Sequence, residues 1–236
     1  MLERMKDFDE NYKDIKERMS DASLKAGRKP SDIRLLAAVK TVPAEVINYA
    51  VSQGLDLIGD NRVQEMEQKR PLLINEPEHH FIGHLQTNKV KNIVGKVDMI
   101  ESVDSLRRAA EISRQSAAAG TVSDVLLEVN IGREQSKSGF YAEMLDEAVA
   151  EIAQMGHIRV RGLMTIPPIC DGKEKNCAYF EQMQKVFIDI SGKTMDNVNM
   201  DYLSMGMSDD FEQAIAFGSN IVRIGTALFG ARNYNK

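Results

Sequence analysis

The chain has 236 residues, 43% of them hydrophobic, with a formal net charge of −5, which suits one large domain with an ample packed core. A pI near 5.5 argues against the basic surface that nucleic acid or an anionic membrane would need. No apolar run approaches the ~20 residues of a membrane span, and the charged start, Met1-Leu2-Glu3-Arg4-Met5-Lys6-Asp7, lacks a signal-peptide core, so a cytoplasmic protein is expected.

Residues 1–26 carry apolar side chains at helical spacing, namely Met5, Phe8, Tyr12, Ile15, Met19 and Leu24, and Gly27 is placed to stop the helix. Short apolar runs then alternate with amphipathic stretches. The predicted strands are 33–40, 56–60, 79–83, 98–103, 123–130, 158–166, 200–206 and 221–229. The predicted helices are 43–53, 62–70, 87–94, 105–119, 141–155, 174–191 and 209–217. Regular alternation implies parallel strands joined by right-handed crossovers. Eight such units close a (β/α)₈ TIM-type barrel, here with an extra N-terminal helix, as a single domain spanning 1–236. An open doubly wound sheet is the competing architecture. The first strand–helix turn, Lys40-Thr41-Val42-Pro43, has no glycine fingerprint for a dinucleotide.

Chemistry in such a barrel sits at the carboxyl ends of the strands. The first strand ends on Lys40, and a desolvated lysine there is a nucleophile toward aldehydes. The next strands end on Gly59-Asp60-Asn61-Arg62, on Gly83-His84-Leu85-Gln86, on Glu128 with Asn130, and on Met164-Thr165. The last two offer Ser204-Met205-Gly206-Met207-Ser208 and Arg223-Ile224-Gly225-Thr226, the loops between which barrels often hold a phosphate. Ser208 followed by Asp209 and Asp210 reads as a helix cap with an acidic first turn. Arg223 and Gly225 share a face of the last strand, so Arg223 reaches toward the ring of a ligand whose phosphate lies at Gly225. It reads equally as a structural arginine paired with a buried glutamate such as Glu128. A Schiff-base lysine with a distal phosphate cradle suggests a phosphorylated aldehyde, of which pyridoxal 5'-phosphate (PLP) is the commonest.

Other residues read as ordinary. His79-His80 stands ahead of a strand without companion ligands, so no metal site is expected. The thirteen methionines fill core, Lys89, Lys91 and Lys96 mark a solvated helix face, and Cys170 and Cys177 are reduced thiols whose spacing fits no zinc or redox motif.

The residues already singled out resemble the conserved blocks of the pyridoxal-phosphate homeostasis protein family. His80-Phe81-Ile82-Gly83-His84-Leu85-Gln86-Thr87-Asn88-Lys89 is similar to its hallmark segment. Ala38–Thr41, Gly59–Glu65, Arg161–Ile166, Ser204–Asp210 and Val222–Thr226 resemble its other blocks, in the same order, and the likeness runs from about residue 8 to Tyr234. The resemblance implies a barrel of the alanine-racemase type with PLP held as an imine on Lys40. It implies a phosphate site at Ser204, Gly206, Met207, Ser208, Gly225 and Thr226, a ring-nitrogen arginine at Arg223, and Asn61 near the cofactor. The family commonly has Gly-Glu-Asn where this chain has Gly59-Asp60-Asn61; His84 is assigned no role.

Three functions are compatible with this reading. The first is a monomeric PLP protein that buffers, protects or delivers the cofactor, with apo PLP-dependent enzymes as possible recipients. The second is a racemase-like PLP enzyme, and the third a cofactor-free Schiff-base aldolase. Racemisation needs an acid/base opposite the lysine. The sequence runs straight from the last strand to Lys236 with no second domain to supply it, which favours the carrier.

Overall fold

The structure, a computed structural model, describes residues 2–168 and 173–230. Cys170 and the tail from Ala231, including Tyr234, lie outside the described residues. Cys177 is a free thiol.

Eight parallel strands close on themselves in sequence order: β1 (Arg34–Ala38), β2 (Leu57–Asp60), β3 (Glu78–Phe81), β4 (Met99–Val103), β5 (Ser123–Glu128), β6 (Ile158–Met164), β7 (Val198–Ser204) and β8 (Ile221–Ile224). The seam is made by β8 against β1, with Leu36 opposite Arg223 and Ala37 opposite Ile224. Closure leaves no edge strand with unpaired backbone groups. Around the barrel run α1 (Leu2–Lys25), α2 (Ala44–Ser52), α3 (Val63–Lys69), α4 (Leu106–Ala118), α5 (Leu145–Ala153), α6 (Lys173–Ser191), α7 (Phe211–Ala216) and α8 (Thr226–Phe229).

The sequence pattern explains the layers. In β1 the side chains of Leu35 and Ala37 face outward with Val39, into a cluster with α1, α2 and α8. Leu36 and Ala38 face the lumen with Leu57, Ile82 and Ile221. Period-two alternation continues the lumen row toward Lys40. On α1, Phe8, Ile15 and Met19 are buried at helical spacing. Phe8 stacks on Phe229 with centroids 5.7 Å apart, and each such burial contributes ~1.5–3 kcal/mol. This places α1 across the outside of the β8–β1 seam. Gly27, at φ 69°, ends it as expected.

Four expectations are corrected. The predicted strand 221–229 stops at Ile224, because Gly225 turns the chain and Thr226–Phe229 form α8. The predicted helix 87–94 is a six-residue 3₁₀ turn, Thr87–Asn92. His79 and His80 lie inside β3 and are buried. Leu24, counted on the apolar face of α1, is 63% exposed.

Candidate functional site

Lys40 emerges from the carboxyl end of β1, half-buried. Among the described residues its ammonium has no hydrogen-bond or ion-pair partner. The turn that carries it is unusual: Thr41, a β-branched residue, sits at φ 64°, a region such residues rarely enter. On one side of Lys40 the Val39 carbonyl accepts from Lys69 Nζ at 2.7 Å. On the other the Thr41 N–H donates to Glu65 Oε1.

The loops after β7 and β8 are knitted together beside it. Gly206 has φ 93°, and a Cβ there would lie 2.6 Å from Ala214 Cβ, so only glycine lets this loop press onto α7. Its carbonyl accepts from Arg223 N at 3.0 Å. Ser208 is not the cap of α7. Asp210 holds that position and accepts from Met207 N at 2.7 Å. Ser208 Oγ instead accepts from Ala227 N at 3.3 Å, tying the two loops together. A Cβ on Gly225 would lie 3.2 Å from the Ala38 carbonyl, which sets this turn against the end of β1. Among the described residues, no acceptor takes the backbone N–H groups of Gly206, Ser208, Gly225 and Thr226. Unclaimed N–H groups at neighbouring loops are the donors from which an anion cradle is built. Met207 and Thr226 are exposed at its rim.

Beneath the cradle the lumen holds a column of polar side chains. Arg223 is 5% exposed and donates to Ser204 Oγ at 2.7 Å and to the Thr165 carbonyl at 2.8 Å. Ser204 donates to Glu101 Oε2 at 2.6 Å. Glu101 Oε1 meets His80 Nδ1 at 2.6 Å, His80 Nε2 meets Glu78 Oε1 at 2.9 Å, and Glu78 is held by both terminal nitrogens of Arg34. Burial opposes charge on His80, but hydrogen bonds to Glu101 and Glu78 outweigh it and raise its pKa. Burial opposes charge on Glu101 too; the bond from His80 and the field of Arg223 hold it below the usual carboxylate range. Glu78 falls to about 2, chiefly through His80 and then Arg34. The column is thus a line of alternating charges. The expected direct pairing of Arg223 with Glu128 is not formed: Ser204 and Thr165 take its donors, and Glu101 is its nearest carboxylate in the chain of bonds.

Glu128 closes β5 near Arg223, and burial, with Asp104 adding to it, pushes its carboxyl up to about 7. Arg108 pairs with Asp104 at 3.1 Å. Asn61 follows β2 half-buried, and Gly83 passes so close that a Cβ there would lie 2.0 Å from the Asn61 carbonyl. That contact explains the glycine in the His80–Lys89 segment.

The structure therefore gathers Lys40, Asn61, Gly206, Met207, Ser208, Gly225 and Thr226 at one end of the barrel, with Ser204 and Arg223 just below. Arg161, inside one of the motif blocks, lies elsewhere and pairs with Asp124 and Asp201. Sequence reasoning assigned no role to Glu101, His80, Glu65 or Lys69. A glutamate within the apolar run Met99–Val103 was the signal for the first of these.

This arrangement has close relatives. The chain matches the family described as "Alanine racemase, N-terminal domain" over residues 5–233. It is 44% identical over 221 residues to the pyridoxal phosphate homeostasis protein of Aquifex aeolicus (strain VF5), covering 93% of this chain and 96% of that one. The chain belongs to the pyridoxal phosphate homeostasis protein family. Among solved structures, an unknown protein from Bifidobacterium adolescentis superposes with a TM-score of 0.91 at 36% identity, covering 96% of both chains. PipY of Synechococcus elongatus PCC7942, solved with PLP bound, superposes with a TM-score of 0.79 at 31% identity, covering 92% of this chain and all of that one. Membership fixes the barrel and its family; within it, the residues above are this chain's own.

Proposed function

We propose that this protein binds PLP at the carboxyl end of the barrel, covalently through Lys40, and serves PLP homeostasis as a carrier. One observation carries the reading: a half-buried, unpartnered lysine stands beside two knitted loops that present unclaimed N–H groups. The donor set fits the group. A dianionic phosphate suits the N–H groups of Gly206, Ser208, Gly225 and Thr226, with the Ser208 hydroxyl beside them. The aldehyde of PLP condenses with an unprotonated amine with loss of water, which is the chemistry the cofactor supplies. Lys40 provides that amine, and Asn61 lies on the neighbouring strand end.

Arg223 favours carrier over catalyst. It is an obligate donor, locked onto Ser204 and Thr165, and in this reading it faces the ring nitrogen. A cation there keeps that nitrogen unprotonated and the ring a weak electron sink. In this reading the protein holds and releases PLP and turns over amino acids little. Among the described residues, no helix is long and apolar enough to cross a membrane.

The test is proton exchange at the α-carbon of a panel of L-amino acids in deuterated water, using PLP-loaded protein. Exchange far below the ~10 per second typical of enzymes supports the carrier. Exchange near that rate makes the protein a racemase-like enzyme instead.

A further inference from the structure

Lys69 and Glu65, one turn apart on α3, grip the backbone on both sides of Lys40. Lys69 is 9% exposed. Its Nζ donates to the Val39 carbonyl at 2.7 Å and to Glu65 Oε1 at 3.1 Å, and forms an ion pair with Asp60 Oδ1 at 2.9 Å. Asp60 is itself held by His79 Nε2 at 3.0 Å, which ties the cluster to β3. Glu65 Oε1 receives the Thr41 N–H. Between these contacts Thr41 is at φ 64°. A threonine persists in that region only where its surroundings over-determine it. Neither α3 residue hydrogen-bonds or ion-pairs with the lysine side chain among the described residues; both bond the peptide groups that aim it.

We propose that Lys69, with Glu65, is a positioning residue for Lys40: it fixes the strained turn after β1 so that the Lys40 amine meets the cofactor's aldehyde. The inference rests on the assignment of Lys40 as the attachment point. Without the clamp Thr41 relaxes to negative φ and the amine swings off line. Misplacement on the order of 1 Å costs up to ~100-fold in rate.

The experiment compares wild type with Lys69→Met, Glu65→Ala, Thr41→Gly and the Lys69→Met/Thr41→Gly double variant. Stopped-flow absorbance gives the rate at which the covalent PLP band forms. Affinity for pyridoxine 5'-phosphate, which has the phosphate and ring but no aldehyde, reports the rest of the site. Circular dichroism reports folding. Lys69→Met is expected to slow covalent attachment about tenfold or more, with pyridoxine 5'-phosphate affinity within about twofold of wild type. Glu65→Ala acts in the same direction, and serves alone if Lys69→Met does not fold. Thr41→Gly, at ease with positive φ, should restore part of the rate lost in Lys69→Met. An unchanged attachment rate in the single variants, an equal loss of pyridoxine 5'-phosphate affinity, or no rescue by glycine overturns the positioning role. Reduction with borohydride and peptide mapping of the wild-type adduct separates the two claims. An adduct on another lysine overturns both, whereas a Lys40 adduct formed at full rate without Lys69 overturns only this one.

Discussion

Ser204 and Glu101, 103 positions apart in the chain, meet at 2.6 Å in the middle of the barrel. The contact joins the carboxyl end of β7 to the polar column in the lumen. The Ser204 hydroxyl donates to Glu101 and accepts from Arg223, so its single proton is committed inside the protein. Ser204 was expected at the phosphate. With its proton so used, the proposed reading leaves Ser204 the aim of Arg223 and gives the phosphate to Ser208 and the backbone N–H groups.

Glu101 anchors the charges of this column. It is fully buried between His80 and Arg223, through Ser204. Glu101→Ala would leave a buried imidazolium and guanidinium without their carboxylate. Breaking such a pair from one side costs about 3–5 kcal/mol, to be read as a shift in the urea midpoint at pH 7. A loss below ~1 kcal/mol would mean that the column is a chain of weak contacts.

Glu128 gives the protein a pH dependence near neutrality. Its carboxyl rises from 4.5 unfolded to about 7 folded. The folded state therefore keeps a proton that the unfolded state has released, and stability is lost as pH rises from about 4.5 to about 7. A shift of that size corresponds to no more than about 3 kcal/mol. Glu128→Gln should remove this loss, gaining on wild type by ~1–3 kcal/mol at pH 8 relative to pH 4. Parallel stability–pH curves for the two proteins would contradict the assignment.

The phosphate should dominate affinity. Pyridoxal, which lacks it, should bind far more weakly than PLP by fluorescence titration. Ser208→Ala should weaken PLP by ~1–2 kcal/mol if its hydroxyl bonds the phosphate. Equal affinity for pyridoxal and PLP would sink the cradle between the β7 and β8 loops.

Much of this was legible in the sequence, for identifiable reasons. The strands were legible because both their faces are covered, which makes them continuous apolar runs such as Leu35–Val39. Lys40, Gly206 and Gly225 were legible because strand ends and obligatory glycines carry a local signature. The column was not. His80 and Glu101 are 21 positions apart, and only the parallel pairing of β3 with β4 makes them partners. Lys69 was hidden in an amphipathic helix, where a lysine reads as solvated until its acceptors are known. The cap of α7 was misplaced by two residues because Ser208 and Asp210 are both good caps, and only the contact with Ala227 claims the serine. The eighth strand was overrun because Ala227-Leu228-Phe229 is apolar whichever structure it adopts.

The most direct test of the central claim is the site of covalent attachment. Protein loaded with PLP is reduced with borohydride, digested and mapped by mass spectrometry, alongside Lys40→Ala treated in the same way. The account predicts a pyridoxyl group on Lys40 in the wild type, with the visible band and the reducible adduct both lost in Lys40→Ala. A pyridoxyl group on a different lysine of the wild type, or an undiminished reducible band in Lys40→Ala, would contradict it.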